Sequence, residues 1–253
     1  MELNHQLSPK LKQLRLSGIL ATLEARTQQA VDGQWAYDEF LERLLEDEVE
    51  RRAQHQLALR LRRATLNTTK TLEGFDFSFN PNLSRQHLLR LASCDYIRRK
   101  RNLLICGPTG VGKSHLAQAL GHEACRQGFD VRCVNTHKML QHIHGGRADG
   151  SWEQRFASYL RPDLLILDDF GLKPLRDRMP ADLYDVMNER YEVGSILVTS
   201  NRAPEEWPDL FGDPLLASAG LDRLAHQAET LVITGRSFRA SRPATSSEVP
   251  DVG

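Results

Sequence analysis

Asn102-Leu-Leu-Ile-Cys-Gly-Pro-Thr-Gly-Val-Gly-Lys-Ser114 decides the fold. Leu103, Leu104 and Ile105 are an apolar run of strand length, a glycine-rich segment follows, and His115 to Cys125 then sets Leu116, Ala119 and Leu120 on one helical face. The order predicts strand, loop and helix. Gly107, Gly110 and Gly112 permit the tight turns that aim successive backbone N–H groups inward, and those donors with the helix N-terminus make a cradle for phosphate anions. The G-x-x-x-x-G-K-S spacing puts Lys113 in reach of the β- and γ-phosphates of a nucleotide. Ser114 supplies a hydroxyl where a magnesium ion bridging those phosphates needs a hard oxygen ligand.

Working outward, Leu164-Leu-Ile-Leu-Asp-Asp-Phe-Gly171 has the pattern of a fully buried parallel strand ending in two carboxylates. A strand emerging beside the phosphate loop would set Asp168 to hold magnesium through its water shell and Asp169 to orient an attacking water. Ser195-Ile-Leu-Val-Thr-Ser-Asn201 repeats the design, and Asn201 is expected to hydrogen-bond the γ-phosphate or that water. These polar groups fall at the carboxyl ends of strands, where doubly wound sheets bind ligands. Phe129 to Val134 and Thr230 to Ile233 read as further strands. Helices are expected at Thr136 to His144, Trp152 to Leu160, Pro180 to Tyr191 and Ala217 to Ala228, with a loop at Gly145 to Gly150. The fold class is therefore α/β, a parallel sheet flanked by helices.

Ahead of this core, Ser8 and Pro9 open a leucine-rich helix (Leu11, Leu14, Leu16, Leu20, Leu23) that Gly33 ends. A second helix starts near Asp38, runs through Phe40, Leu41, Leu44, Leu45 and Val49, and extends to Leu61, so the two form a hairpin-like module. Residues 38–50 carry seven acids against Arg43 alone, whereas 51–63 carry five arginines and no acid. Solvated faces matched to the helix dipole account for that polarity. The alternative is that the arginine end touches DNA phosphate or an acidic partner surface. The Arg98-Arg-Lys-Arg101 turn carries the same two readings. Phe75, Phe77 and Phe79 alternate with polar residues in an extended linker, either anchoring it or walling an adenine pocket.

Composition narrows the class. The 253 residues, 40% of them hydrophobic, allow one or two domains. No apolar run approaches the roughly 18 residues of a membrane span, and no signal segment opens the chain, so a cytoplasmic location is expected. Four cysteines without a C-x-x-C pair point to reduced thiols, and His137, His142 and His144 lack a further ligand at metal spacing. Thirty-three basic and 33 acidic residues cancel, so any nucleic-acid contact depends on local segregation of charge. The tail from Ala240 has too little apolar content to pack and is expected to be disordered.

Together these motifs resemble the AAA+ ATPases of the branch containing DnaC-type helicase loaders and, more closely, the IstB-like ATP-binding helpers of insertion-sequence transposition. The likeness runs over Leu11 to Leu23, Phe75 to Phe79, Asn102 to Ala117, Leu164 to Leu172, Ser195 to Asn201, Leu221 to Leu224 and Gly235 to Arg239. It implies a P-loop AAA+ core preceded by a small all-α domain; the segment after Asn201 departs from the family pattern, being too short for the usual separate helical lid, so a reduced or absent C-terminal lid is expected. Walker A falls on Gly107, Pro108, Thr109, Gly110, Val111, Gly112, Lys113 and Ser114, with His115 also at the nucleotide. Walker B falls on Asp168 with Asp169 beside it, sensor 1 on Asn201, the arginine finger on Arg223 and the sensor 2 arginine on Arg239. Asp169 departs from the glutamate usual in the family, and the side chain shortened by one methylene implies slow turnover.

The resemblance implies residues 1–68 as a helical module for partners or DNA, 69–239 as the ATPase domain and 240–253 as a tail. The function it implies is an ATP- and Mg2+-dependent regulator of transposition. Such a protein oligomerises on duplex DNA with ATP at subunit interfaces, contacts phosphates with little sequence preference, and recruits or stimulates the element's transposase. A DnaC-like replicative helicase loader is the alternative, and a P-loop small-molecule kinase is a third, which leaves Arg223 and the N-terminal module without a task.

Overall fold

The leucine-rich N-terminus makes two helices where one is expected. In the computed structural model, which describes residues 2–77, 80 and 83–238, α1 (Glu2–Gln13) runs through Pro9 and α2 (Ser17–Gly33) starts anew. Between them Arg15, with φ of 56°, leaves the right-handed region, and the Leu16 N–H donates to the Leu11 carbonyl at 2.8 Å. The break sets Leu11 and Leu16 against Ile19, Leu23 and Leu44, the last from α3 (Tyr37–Ala64). The chain divides into two compact units, Met1–Leu59 and Arg60–Gly253.

In the first unit the acids of α3 do more than face solvent. Glu48 is 4% exposed and accepts from the N–H groups of Gly18 (2.6 Å) and Ile19 (3.4 Å), satisfying donors that the start of α2 leaves open. Burial pushes its carboxyl up, but Arg52 at 2.7 Å and those two N–H groups outweigh burial and leave it below the ordinary range. Asp47 takes a two-pronged bond from Arg26, at 2.7 and 2.9 Å. That guanidinium, with Thr22 adding to it, holds the Asp47 carboxyl at about 2. A depressed carboxyl stabilises the fold above its unfolded pKa of about 4 and loses that contribution as pH falls through the folded value. Thermal unfolding of the full chain should therefore separate wild type from Asp47→Asn most clearly above pH 4, and the two curves should converge towards pH 2.

The second unit is a parallel sheet of five strands in the order β2-β3-β4-β1-β5. The strands are β1 (Leu103–Cys106), β2 (Val131–Asn135), β3 (Leu164–Phe170), β4 (Ser195–Ser200) and β5 (Glu229–Val232). Around them lie α4 (Arg85–Ala92), α5 (Asp95–Arg98), α6 (Lys113–Arg126), α7 (Thr136–Asp149), α8 (Trp152–Leu160), α9 (Met179–Arg190) and α10 (Pro214–Ala225). Leu164 to Leu167 are wholly buried, as an all-apolar strand requires when both faces of its sheet are covered. Leu165, Leu167, Ile196 and Val198 pack with Met139, Ile143, Leu183 and Val186 of α7 and α9. On the other face Gly121 of α6 sits so close that a Cβ would lie 2.8 Å from Ile166 Cδ1.

Two expectations change here. α7 continues through Gly145 and Gly146 to Asp149 instead of breaking into a loop. A Cβ on Gly146 would come within 2.8 Å of the Trp152 backbone, so the glycine serves the approach of α8, not a turn. Residues 71–77 form turns and no continuous extended run. In the sheet β4 lies between β1 and β3 and pairs with both. Phe79, Arg239 and the tail from Ala240 lie outside the described residues, and no helix among the described residues is long and apolar enough to cross a membrane.

Candidate functional site

β1 delivers the chain to its glycine loop at the carboxyl edge of the sheet. Gly107 (φ 151°), Gly110 (86°) and Gly112 (97°) all hold positive φ, and Gly112 opens α6. Lys113, 7% exposed, donates through Nζ to the Gly107 and Pro108 carbonyls at 2.7 Å each. The loop therefore holds its cation over its own backbone. Thr109, Gly110, Val111, Gly112, Lys113, Ser114 and His115 line a cavity of about 490 Å³. Asp169 and Asn201 reach the same cavity from β3 and the end of β4.

Asp168 joins through Ser114, whose Oγ donates to its Oδ1 at 2.7 Å. The two meet because α6, which starts at the end of β1, packs over both β4 and β3. Thr199 completes the connection. Its hydroxyl donates to Asp168 Oδ1 and accepts from the Asp169 N–H at 3.1 Å, so one side chain on the intervening strand fixes both aspartates. The backbone contributes as well: Leu167 pairs with Val198 and Phe170 with Ser200, which leaves one extra residue on β3. At this bulge Asp169 adopts φ of 57°, a conformation aspartate tolerates better than most residues. Its Oδ2 accepts from Asn135 Nδ2 at 3.1 Å, and Thr136 Oγ1 donates to the Asp168 carbonyl at 3.0 Å. Reading the sequence misses Thr199, Asn135 and Thr136. Their only signal is polarity at the carboxyl ends of otherwise apolar strands.

The opposite wall comes from Thr69, Lys70, Gly74, Phe75, Asp76 and Asn80. Phe75 packs edge-on against Phe77 and His115, and the His115 Nε2 is 3.0 Å from the Thr71 carbonyl. Among the described linker aromatics, Phe75 lines the cavity and so takes the pocket-wall position. Asn80 Nδ2 donates to the Thr234 carbonyl at 2.7 Å, and the Phe238 N–H to Gly110 at 2.9 Å, so the chain after β5 also closes on the loop. Burial pushes the thiol of Cys106, next to Gly107, up to about 11, which keeps it neutral.

Arg223 lies elsewhere. On α10 it donates to the Ala219 carbonyl at 2.7 Å and stacks over Tyr184, lining a separate cavity of about 230 Å³ with Arg99, Lys100, Tyr191, Glu192 and His226. The phosphate loop, Asp168, Asp169 and Asn201 are brought together; Arg223 is not.

A family model described as IstB-like ATP binding protein matches residues 9–246. A protein described as the ATP-binding protein of an insertion sequence in Mycobacterium tuberculosis is 42% identical over 230 residues, 90% of this chain and 92% of that one. Among solved structures, AMPPCP-bound DnaA from Aquifex aeolicus matches with a TM-score of 0.56 and 25% identity, over 67% of this chain and 51% of its own. The chain thus spans about half the length of that DnaA. The DnaC helicase loader matches with a TM-score of 0.53 and 20% identity, over 66% of this chain and 97% of its own, a likeness of AAA+ fold.

Proposed function

Because the chain belongs to the IstB-like family of ATP-binding proteins, we propose that it is an ATPase of insertion-sequence transposition that oligomerises on duplex DNA and recruits or stimulates the element's transposase. The observation that carries the assembly part is the separation of Arg223 from the phosphate cavity. Among the described residues the cavity is lined by Lys70 and Lys113 and by no arginine, so this subunit brings no guanidinium to the charge that develops on the γ-phosphate. Arg223 of a neighbouring subunit supplies it, so hydrolysis waits for assembly.

In this reading the loop N–H groups hold the phosphates, and Lys113 turns from the Gly107 and Pro108 carbonyls to the β- and γ-oxygens. Phe75 walls the base end of the cavity. Asp169, held by Asn135, orients the attacking water, while Asn201 contacts that water or the γ-phosphate. Ser114 Oγ and Asp168 Oδ1 converge as hard oxygen donors, a set that fits magnesium, Ser114 as a direct ligand and Asp168 through water. Held there, the ion would neutralise charge between the β- and γ-phosphates. Arg239 is proposed as the sensor 2 arginine on family grounds. DNA is held through phosphates, so binding falls steeply with salt and shows little sequence preference.

Arg223→Ala tests the shared site. ATP should still bind, while DNA-stimulated hydrolysis falls by about 100-fold or more, given what such arginines contribute elsewhere. Unchanged assembly together with unchanged DNA-stimulated turnover would sink the model. Pull-down of the transposase, and not of a replicative helicase, separates this reading from a helicase loader.

A further inference from the structure

α3 carries more apolar side chains than the first unit buries. Phe40 and Leu44 pack towards α2, whereas Tyr37, Leu41, Leu45 and Val49 are 95, 55, 49 and 68% exposed. Their four-residue spacing stacks them in one row along about 18 Å of helix. Single exposed apolar residues are ordinary; four in line on one helix mark a surface that something covers.

The row has a charged border. Asp38, Glu42, Glu46 and Glu50, each the next residue in sequence, form a second exposed row beside it. Among the described residues none of the four makes a salt bridge, while acids elsewhere on the helix do: Glu39 with Arg43, Asp47 with Arg26 and Glu48 with Arg52.

We propose that this face docks a basic amphipathic helix of the partner protein. Apolar side chains three and four apart on that helix cover Leu41 and Leu45, and lysines or arginines on its flank meet Glu42 and Glu46. The inference rests on the reading that the transposase is the partner, and it names the chemistry of the segment engaged. A second copy of this chain paired row on row and antiparallel would align two acidic rows along the same edge; the shifted pairing that sets this face on the arginines of residues 51–63 is the rival outcome that cross-linking at Leu45 detects. Duplex DNA is a poor occupant, since its phosphates would face a line of carboxylates.

The test uses the full chain and the transposase of the same element, with a photo-crosslinking residue at Leu45. The cross-linked segment should have helical apolar spacing and a flank of lysines or arginines, and the affinity should fall as salt rises. Leu41→Asp with Leu45→Asp, and separately Glu42→Lys with Glu46→Lys, should each weaken binding by about tenfold or more while leaving ATP binding unchanged. Reversing the cross-linked basic residues to glutamate should rescue the second variant. Cross-linking to another copy of this chain or to a segment without basic residues, or wild-type affinity in both variants, would overturn the docking assignment and leave the transposase reading standing. Failure of the wild type to bind the transposase at any salt would overturn that reading, and the assignment with it.

Discussion

Lys113→Ala is expected to lower ATP turnover by about two to three orders of magnitude, the scale seen when a charge-stabilising donor is removed from a water-poor site. The ammonium is the only side-chain cation that this loop itself contributes, and it is already aimed inward over the Gly107 and Pro108 carbonyls. Removing it frees those carbonyls beside an open cavity, where water satisfies them, so the folded state should lose little. Phosphate release and nucleotide-analogue binding measured on the same preparation check this, with thermal unfolding as the control. Lys113→Met retains the apolar stem and should fail equally, which separates loss of charge from loss of packing. Turnover within threefold of wild type in both variants would remove Lys113 from the phosphates.

Gly107→Ala should be the most damaging methyl group that can be added to the loop. A Cβ there would lie 2.0 Å from the Ile233 carbonyl oxygen, backbone that cannot rotate aside, and φ of 151° is itself unfavourable for a residue with a side chain. Strain and collision together should cost roughly 3 kcal/mol or more, equivalent to a fall of about 6–12 °C in Tm for a chain of this size. Gly150→Ala is the control, because Gly150 also has positive φ (72°) but nothing within 4 Å of the added methyl. It should cost only about 1 kcal/mol, the backbone contribution alone. Equal losses in the two variants would mean that the contact between the loop and the end of β5 does not constrain the fold.

Lys113 and Gly107 both belong to the stretch whose fold and chemistry are most legible in the amino-acid sequence. Glycines, lysine and serine at fixed spacing answer a local demand: the backbone must turn tightly, present N–H groups and offer a cation and a hydroxyl within a few residues. The strands are legible for a similar reason, since Leu164 to Leu167 and Ile196 to Val198 have apolar side chains for both faces of a covered sheet. Where local patterns mislead, a distant partner decides the outcome. Gly145 and Gly146 have the pattern of a loop, yet Trp152 packs against Gly146 and the helix continues; the acidic run of α3 has the pattern of a solvated face, yet Glu48 is buried on the start of α2.

A phosphate loop on a parallel sheet, two aspartates at the end of a buried strand, a helical unit ahead of the core and the family likeness are all legible in the order of the amino acids. Packing in three dimensions sets β4 between the loop strand and the aspartates, gives Thr199 on β4 its hold on both of them, and turns Arg223 to a different cavity. The difference is one of range. Turn chemistry and burial periodicity act between neighbours in the chain, whereas Ser114 meets Asp168 across 54 positions only once helices and strands have packed in one order and register.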